Sequence, residues 1–376
     1  MVKARALALN LALALAALIL ALAATEVLLR ALPRGRTEKS EKSYLVDNME
    51  FSYRYSLNSH GYRGPEFPAS RKQDELRVIL IGDSFVEGTG LADDERIGAV
   101  LERALRNDSS IGREVQVLSA GKPGVATDAY VRIAEEMEAF HSDALVVLFY
   151  VDNDITTGRS PLGRSIWGLR IASLLGQAAS DIRSKYVPHC SLPGSIYPYV
   201  ARVTDPRYRE NFCKSRINAW LLQRGAYGEA LGGENGYYRR LAKVFESTTK
   251  TKANLLRLKT IARGRPFLIL LVPSAHQVST HYFAELRKIG FVYERDNEPV
   301  NSSPQEAIRA FLSANQIAYV DLLGTLRARE AEGRARHYYP IDLHFNADGA
   351  KVAADAIADW LVRAPISPSK QPRTHR

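Results

Sequence analysis

The sequence predicts a three-layer α/β sandwich built on a mostly parallel five-stranded sheet. Five short runs of almost wholly apolar residues are spread along the chain, and such runs are typical of parallel strands buried on both faces. Segments with apolar residues at helical spacing, such as Tyr130, Ile133 and Met137, lie between these runs. This alternation favours a parallel sheet with helices on both faces. The predicted strands cover residues 77–81, 115–118, 145–150, 267–272 and 317–320.

The length of 376 residues is sufficient for one α/β core with additional segments. We expect the sandwich to cover 75–362, with an insertion at about 155–245 and a membrane-proximal lead-in at 29–74. The basic tail at 363–376 is predicted to be disordered. Hydrophobic residues make up 46% of the chain and charged residues 24%, which excludes a fibrous or wholly disordered protein.

The N-terminus carries the signature of a membrane span. Residues 6–24 are almost wholly apolar, with only Asn10 interrupting them, and their length matches the roughly 20 residues that cross a bilayer. Lys3 and Arg5 precede the run, which is longer than the core of about 7–15 residues in a typical signal peptide. We therefore expect residues 1–28 to be an uncleaved single-pass anchor. Cleavage after a nearby small residue and a buried soluble helix are the alternatives.

The globular domain is expected on the periplasmic or outer side of the cytoplasmic membrane. A short N-terminus before a long domain favours translocation, although the basic residues that follow the span would favour the cytoplasm. Cys190 and Cys213 are the only cysteines, and both lie in the insertion. An even number suits a disulfide in an oxidising compartment, but two free thiols are equally compatible.

The net charge of +10 raises the question of a nucleic-acid partner. The basic residues are scattered, and the sequence has no recognition-helix signature, zinc-ligand spacing or P-loop. A basic surface beside an anionic membrane or an acidic glycan is the simpler explanation. We therefore expect no nucleic-acid partner, and we expect the membrane as a partner through the N-terminal helix. Neither a metal nor an organic cofactor is implied.

The first predicted strand, 77–81, ends abruptly at Gly82-Asp83-Ser84. Ligands of open α/β sheets bind at the carboxyl ends of the strands, which is where Ser84 would lie. Gly82 permits a sharp turn that would present the serine at the sheet edge. A plain strand-to-turn junction is the alternative, because short motifs of this kind recur by chance.

A possible base for this serine lies near the C-terminus. Asp342 and His344 stand two positions apart in a loop, just before an amphipathic helix that Asn346 can cap. A serine hydroxyl is a poor nucleophile at neutral pH, and a histidine oriented by a carboxylate can activate it. We therefore predict Ser84 as nucleophile, His344 as base and Asp342 as the orienting acid. Asp321, at the end of the fifth strand, is the fallback orienter.

These residues belong to an ordered set that resembles the four sequence blocks of the SGNH/GDSL hydrolases, which are esterase- and lipase-like enzymes with a flavodoxin-like sandwich. The resemblance covers roughly 75–362, and the polar, glycine-rich lead-in is similar to that of membrane-anchored bacterial members. The four blocks are Gly82-Asp83-Ser84, Gly124, Asn153-Asp154 and Asp342…His344.

The resemblance implies an oxyanion hole made of backbone and side-chain donors. In the family, the glycine of the second block donates its backbone N–H, a role that falls to Gly124, with Gly121 as second choice. The amide of Asn153 and the backbone N–H of Ser84 would complete the hole. The alternatives are glycines that only close a tight loop and an Asn-Asp pair that only forms a turn.

The sequence departs from the commoner family pattern at two places. Val151 stands where the family usually has a glycine, two residues before Asn153. Asp342 lies two residues before His344, whereas three is the commoner spacing. The two-residue spacing resembles branches that are associated with polysaccharide O-acylation.

The resemblance implies a serine esterase that works through an acyl-enzyme, with O-acetyl groups of a cell-surface or exported polysaccharide as substrate. Two alternatives remain: an O-acetyltransferase that uses the same site, and a non-catalytic glycan-binding or assembly protein. His60 and His276 are weaker candidates for the site, because local packing explains both more simply. The aromatic residues of the insertion could form a sugar-stacking lid or the core of a helical subdomain.

Overall fold

The computed structural model describes four stretches of the chain and a few isolated N-terminal positions. The stretches are 43–155, 206–213, 237–288 and 302–366, without 69, 73 and 334; the isolated positions lie between 10 and 25. Most of the predicted anchor at 6–24, most of the insertion, the end of the tail, Cys190 and the side chain of Cys213 therefore lie outside the described residues.

The chain divides into two compact units, Met1–Ser40 with Arg159–Leu192 and Glu41–Gly158 with Pro193–Arg376. Of the first unit, only the isolated helical positions between 10 and 25 are described. No helix within the described residues is both long and apolar enough to cross a membrane. All elements named below belong to the second unit.

Within the described residues, seven strands form two sheets. The strands are β1 Tyr44–Asp47, β2 Ser52–Tyr55, β3 Glu75–Gly82, β4 Glu114–Gly121, β5 Ala144–Tyr150, β6 Phe267–Val272 and β7 Ala318–Asp321. A parallel five-stranded sheet has the order β4-β3-β5-β6-β7, and an antiparallel hairpin joins β1 to β2. The predicted five-stranded parallel sheet is confirmed, and β6 has the predicted bounds.

The burial of the strands explains why their sequences are so apolar. Every residue of β3, β5 and β6 is buried, because these strands occupy the middle of the sheet and are covered on both faces. The edge strand β7 is short and only half-buried. Neighbouring residues point to opposite faces, so that Val78 and Leu80 enter one hydrophobic cluster, while Ile79 and Ile81 enter the other.

Helices cover both faces of the sheet. The helices are α1 Ser84–Glu87, α2 Ile97–Asn107, α3 Thr127–Met137, α4 Pro206–Cys213, α5 Tyr237–Ser247, α6 Thr249–Ala262, α7 Ala275–Val278, α8 His281–Lys288, α9 Ser303–Ala314, α10 Leu322–Ala331 and α11 Ala347–Arg363. One hydrophobic cluster is completed by apolar residues of α2, α10 and α11, and the opposite cluster by residues of α3, α5, α6 and α9. The three-layer sandwich is therefore confirmed.

The segment that precedes β3 packs against the sandwich. Arg63 is fully buried, donates to the carbonyl oxygens of Gly88 (2.5 Å) and Leu91 (2.6 Å), and forms an ion pair with Asp93 at 3.0 Å. Its guanidinium also lies 4.3 Å from the ring centroid of Tyr53 in β2. This arginine therefore connects the lead-in to the loop that follows α1.

Candidate active site

The serine of the first block lies at the start of a one-turn helix directly after β3. Asp83 caps this helix, since its side chain accepts a hydrogen bond of 3.0 Å from the backbone N–H of Phe85. Gly82 is required for space, because a Cβ there would lie 2.5 Å from a methyl group of Val86. The local sequence therefore ends the strand and presents Ser84 at the carboxyl edge of the sheet.

Ser84, His344 and Asp342 form one hydrogen-bonded series. Nε2 of His344 lies 2.7 Å from Oγ of Ser84, and Nδ1 lies 2.5 Å from Oδ1 of Asp342. A carboxylate can only accept, so Nδ1–H donates to Asp342 and Nε2 is left to accept the serine proton. The structure thus brings together all three residues that were predicted as nucleophile, base and orienting acid.

A tight backbone turn allows an aspartate and a histidine only two residues apart to meet. Leu343, between them, has a φ of 67°, which is the left-handed region that non-glycine residues rarely adopt. The backbone N–H of Leu343 donates to the carbonyl oxygen of Tyr339 at 2.9 Å. The backbone N–H of Tyr339 in turn donates to the carbonyl oxygen of His344 at 2.8 Å. The two-residue spacing is therefore accommodated by a turn that the sequence pattern did not indicate.

Aromatic packing and a helix cap hold the histidine in place. The imidazole ring of His344 lies 5.0 Å from the ring of Phe85, which also contacts Phe345 at 4.9 Å. Asn346 caps α11, as predicted, because its Oδ1 accepts from the backbone N–H of Gly349 at 3.0 Å. The base therefore lies on a short loop that is fixed on both sides.

The surroundings of His344 raise the pKa of its imidazole above the ordinary 6.5. Burial alone would lower this pKa, but the hydrogen-bonded carboxylate of Asp342 acts in the opposite direction. Negative charge on Asp83 and Glu87 adds to the effect of Asp342. These groups favour the imidazolium form, which arises when the histidine takes a proton from the serine.

Glu50, in the bend between β1 and β2, is a site residue that sequence reasoning missed. One of its carboxylate oxygens accepts from the backbone N–H of Ile341 at 2.8 Å, and the other accepts from that of Asp342 at 2.6 Å. Burial raises the pKa of Glu50 to about 7, although the two N–H groups act to lower it. The residue lies in a polar lead-in without a motif, so nothing local in the sequence marks it.

Asn153 lies between the nucleophile and the glycine loop. Its amide donates to the carbonyl oxygen of Val125 at 3.1 Å, and its side chain is also hydrogen-bonded to the Asp83 carboxylate. Val125 directly follows Gly124, so the second and third blocks are in contact beside the first. The structure therefore brings Asn153 next to the Ser84 turn, where the oxyanion role was predicted.

The two glycines of the second block have different surroundings. Gly124 has a φ of 68°, and an added Cβ would meet nothing within 4 Å. A Cβ on Gly121 would lie 2.2 Å from the backbone nitrogen of Glu87 in α1. Gly121 therefore permits close packing of β4 against the helix of the nucleophile, whereas Gly124 lies in an open part of the loop.

Two buried acids lie behind the site. Asp83 is buried, and desolvation raises the pKa of its carboxyl group despite hydrogen bonds from Phe85 and Asn153. Asp154 is fully buried and accepts from the Tyr130 hydroxyl at 2.9 and 3.0 Å. Burial, together with the nearby Asp83, raises the pKa of Asp154 far above its usual range. The second residue of the Asn-Asp pair is thus part of the core rather than of a surface turn.

The departure at Val151 has a structural explanation. Val151 is fully buried, and its backbone N–H donates to the carbonyl oxygen of Val272 at 3.1 Å. The residue therefore extends the pairing of β5 with β6 by one step and adds to the core. Its side chain is accommodated where the commoner family pattern has none.

Asp321 is not the orienter. Its carboxylate caps α10 by accepting from the backbone N–H of Leu323 at 3.0 Å, and it forms an ion pair with Arg309 at 3.3 Å. The fallback prediction is therefore wrong, because Asp342 makes the contact with His344. Asp321 has the ordinary structural role of an N-cap.

The other two candidate histidines, His60 and His276, make local contacts. His276 is buried, with Nδ1 3.3 Å from Oγ of Ser274 and its ring 4.8 Å from that of Phe283. His60 stacks on Phe67 at 5.6 Å. These contacts agree with the interpretation that both residues pack locally.

The parallel sandwich and the Ser–His–Asp series at its carboxyl edge are features of a serine-dependent hydrolase of the SGNH class. Residues 239–375 match the family model described as "SGNH hydrolase-like domain, acetyltransferase AlgX". The matched stretch contains Asp342 and His344, whereas Ser84 and Asn153 precede it. Residues 239–375 are therefore similar to an SGNH hydrolase-like domain, in agreement with the resemblance that the sequence blocks indicated, and the membrane-anchored subtype stays a prediction.

Several solved structures are similar to the chain at low sequence identity. The acetyl xylan esterase AlAXEase is 13% identical with a TM-score of 0.38, over 77% of this chain and 100% of that protein. The lipase/acylhydrolase from Enterococcus faecalis is 14% identical with a TM-score of 0.38, over 78% and 100%. A catalytic mutant of the acetylxylan esterase Axe2 from Geobacillus stearothermophilus is 10% identical with a TM-score of 0.38, over 78% and 97%. Likenesses this weak have no bearing on substrate or mechanism.

No curated protein sequence is significantly similar to this chain.

Proposed function

We propose that this protein is a serine esterase that removes O-acetyl groups from a cell-surface or exported polysaccharide. The observation that carries the proposal is the hydrogen-bonded series from Ser84 through His344 to Asp342, with distances of 2.7 and 2.5 Å. A binding protein has no need of a base aligned with a serine hydroxyl, so this geometry favours an enzyme over a glycan-binding module.

The reaction proceeds in two halves. Ser84 attacks the ester carbonyl while Nε2 of His344 takes the serine proton, and the tetrahedral intermediate then expels the sugar alcohol, which receives that proton. Water attacks the resulting acetyl-serine with His344 again as base, and acetate leaves as the serine proton is restored. The backbone N–H groups of Ser84 and Gly124 would stabilise the oxyanion in both halves, and the amide of Asn153 would join them by exchanging its hydrogen bond to the Val125 carbonyl oxygen for one to the oxyanion.

The expected location is the periplasmic side of the cytoplasmic membrane, with the N-terminal apolar run as a single-pass anchor. The support for this part is the sequence of residues 6–24, whose length and composition suit a bilayer. An acetylated polysaccharide outside the cytoplasm would then be the accessible substrate. Protease protection of the domain in spheroplasts, with and without permeabilisation, measures the orientation.

An O-acetyltransferase is the second candidate, because the matched family model is described as that of an acetyltransferase. The Asp-x-His spacing, which resembles polysaccharide O-acylation branches, supports the same candidate. The acetyl-serine intermediate is common to both activities. They differ in whether water or a sugar hydroxyl accepts the acetyl group.

Hydrolysis of p-nitrophenyl acetate by the full-length chain in mild detergent tests the proposal. We expect Ser84→Ala and His344→Ala to lower kcat by roughly 10³-fold or more, because the two residues act as one unit. Equal rates in the three proteins would contradict the proposed site. Addition of unacetylated oligosaccharide separates the two activities: an acetylated sugar detected by mass spectrometry identifies a transferase, whereas free acetate alone identifies an esterase.

A further inference from the structure

The carboxylate of Glu50 contacts the loop that carries the acid and base of the site. Each of its two oxygens accepts one backbone N–H, that of Ile341 at 2.8 Å and that of Asp342 at 2.6 Å. Glu50 and Asp342 are 292 positions apart in the chain. The lead-in therefore contributes directly to the geometry of the site, although it precedes the first strand of the sandwich.

The backbone that Glu50 contacts is conformationally unfavourable. Leu343, the next residue after Asp342, has a φ of 67°, and a leucine in this region is disfavoured by contact between its Cβ and the backbone. Such a conformation persists only when the surrounding structure over-determines it. Two hydrogen bonds to one carboxylate, at the two residues just before Leu343, are a restraint of this kind.

The hairpin that carries Glu50 is itself fixed to the same loop. The backbone N–H of Asn48 donates to the carbonyl oxygen of Phe51 at 2.8 Å, which closes the bend around Glu50. The ring of Phe51 lies 4.8 Å from that of Tyr339, and the Tyr339 hydroxyl donates to the carbonyl oxygen of Gly90 at 2.8 Å. Glu50 is therefore held by packing rather than carried on a free segment.

The charges around Glu50 make its protonation state responsive to pH. Burial raises the pKa of Glu50 to about 7, and the carboxylates of Asp342 and of Glu285 in α8 act in the same direction, whereas the two backbone N–H groups oppose them. Tyr339 is a further titratable group in this environment, and burial and the charges of Glu50 and Asp342 contribute to raising its pKa. Only the ionised carboxylate presents two full acceptors to the two N–H groups.

We propose that Glu50 is a positioning residue that holds the turn of Asp342 and Leu343 so that His344 remains aligned with Ser84. The proposal rests on the proposed function. Glu50 acts through the backbone of Asp342 and does not touch the reacting atoms. Its loss is therefore expected to lower kcat and to leave KM nearly unchanged.

Glu50→Gln is the sharpest test, because glutamine has the same shape but only one acceptor oxygen. Its NH2 group would face a backbone N–H, so one hydrogen bond is lost and the turn loosens. Misplacement of a catalytic group by about 1 Å can cost about 10²-fold in rate, so we expect kcat to fall roughly 10- to 100-fold. Glu50→Asp is too short to reach both N–H groups, and it is expected to restore only part of the rate.

The pH dependence distinguishes positioning from simple structural support. Glutamine resembles the protonated state, so the ratio of wild-type to Glu50→Gln rates is expected to increase as pH rises through about 7. A ratio that is constant with pH, or an unchanged kcat, would overturn the proposal. Glu66→Gln is the matched control, because exposed Glu66 also accepts two hydrogen bonds in the lead-in, both from Ser59, and no catalytic residue is involved.

A readout without turnover separates this proposal from the proposed function. The Nδ1–H proton of His344, bonded to Asp342, gives a downfield NMR resonance in protein with ¹⁵N-labelled histidine. We expect this resonance in the wild type and in Glu66→Gln, and its loss or upfield shift in Glu50→Gln. An unchanged resonance in Glu50→Gln would overturn the positioning role. An inactive wild type with the expected resonances would reject only the proposed esterase activity.

Discussion

Oγ of Ser84 lies 2.7 Å from Nε2 of His344, although 260 positions separate the two residues in the chain. Ser84 begins α1 directly after the interior strand β3, and His344 lies just before α11. Because α11 packs against α2 on one face of the sheet, the end of the chain is held beside the strand that carries the serine. The fold thus assembles from distant segments a pair that neither segment can form alone.

The carboxylate of Asp342 is expected to be essential for activity. Asp342→Asn keeps the shape but favours the wrong imidazole tautomer, so we expect kcat to fall by about 10²- to 10⁴-fold. Asp321→Asn is the control, since Asp321 caps α10 and asparagine is an equally good cap. Steady-state hydrolysis of p-nitrophenyl acetate measures both variants. A comparable loss in Asp321→Asn would contradict the assignment of the orienting acid.

The activity is expected to rise with pH. Only neutral His344 can accept the serine proton, and its surroundings raise its pKa above 6.5. The acid limb of the plot of kcat/KM against pH should therefore have its midpoint above 6.5. A midpoint clearly below 6.5 would mean that burial outweighs the carboxylates of Asp342, Asp83 and Glu87.

Asn153 is expected to contribute to the oxyanion hole. Removal of one such donor usually lowers kcat by about 10²–10³-fold, and we expect this for Asn153→Ala with little change in KM. The control is Asn254→Ala, which removes another half-buried asparagine that donates to the Thr127 hydroxyl at 3.1 Å. If both variants lose activity equally, the effect of Asn153 is structural.

Arg63 is expected to stabilise the lead-in against the sandwich. Arg63→Lys keeps the charge, but a single ammonium group cannot replace the two guanidinium nitrogens that donate to the carbonyl oxygens of Gly88 and Leu91. We therefore expect the free energy of unfolding to fall by about 1.5–3 kcal/mol. Asp93→Asn removes only the half-exposed partner and should cost at most about 1 kcal/mol. Urea titration followed by circular dichroism measures both, and equal losses would contradict this explanation.

Much of the fold could be predicted because its central strands have a strong signature. β3, β5 and β6 are buried along their whole length, so their sequences are continuous apolar runs with polar residues at the ends. Ser84 and the Asp342–His344 pair were recognisable from their places after a strand and before a capped helix. The half-exposed β7 was predicted with its bounds shifted by one residue, because its signal is weaker.

The remaining parts of the site depend on contacts that a sequence pattern does not contain. Glu50 contacts Asp342 through the backbone N–H group of Asp342. Almost every residue type has this group, so the sequence of the loop does not mark it as a partner of Glu50. The left-handed turn at Leu343 is equally hidden, because leucine is not a residue that such a turn favours. Asp321 was predicted as a fallback orienting acid because an aspartate after a strand can belong either to a catalytic site or to the N-terminus of a helix.

The most direct measurement is the identification of the residue that forms a covalent adduct with a fluorophosphonate. The full-length chain would be labelled, digested and analysed by mass spectrometry, beside Ser84→Ala and His344→Ala. The account predicts an adduct on the peptide that contains Ser84, its absence in Ser84→Ala and a much slower reaction in His344→Ala. An adduct on a different residue, or no labelling under conditions where a known serine esterase reacts, would contradict it.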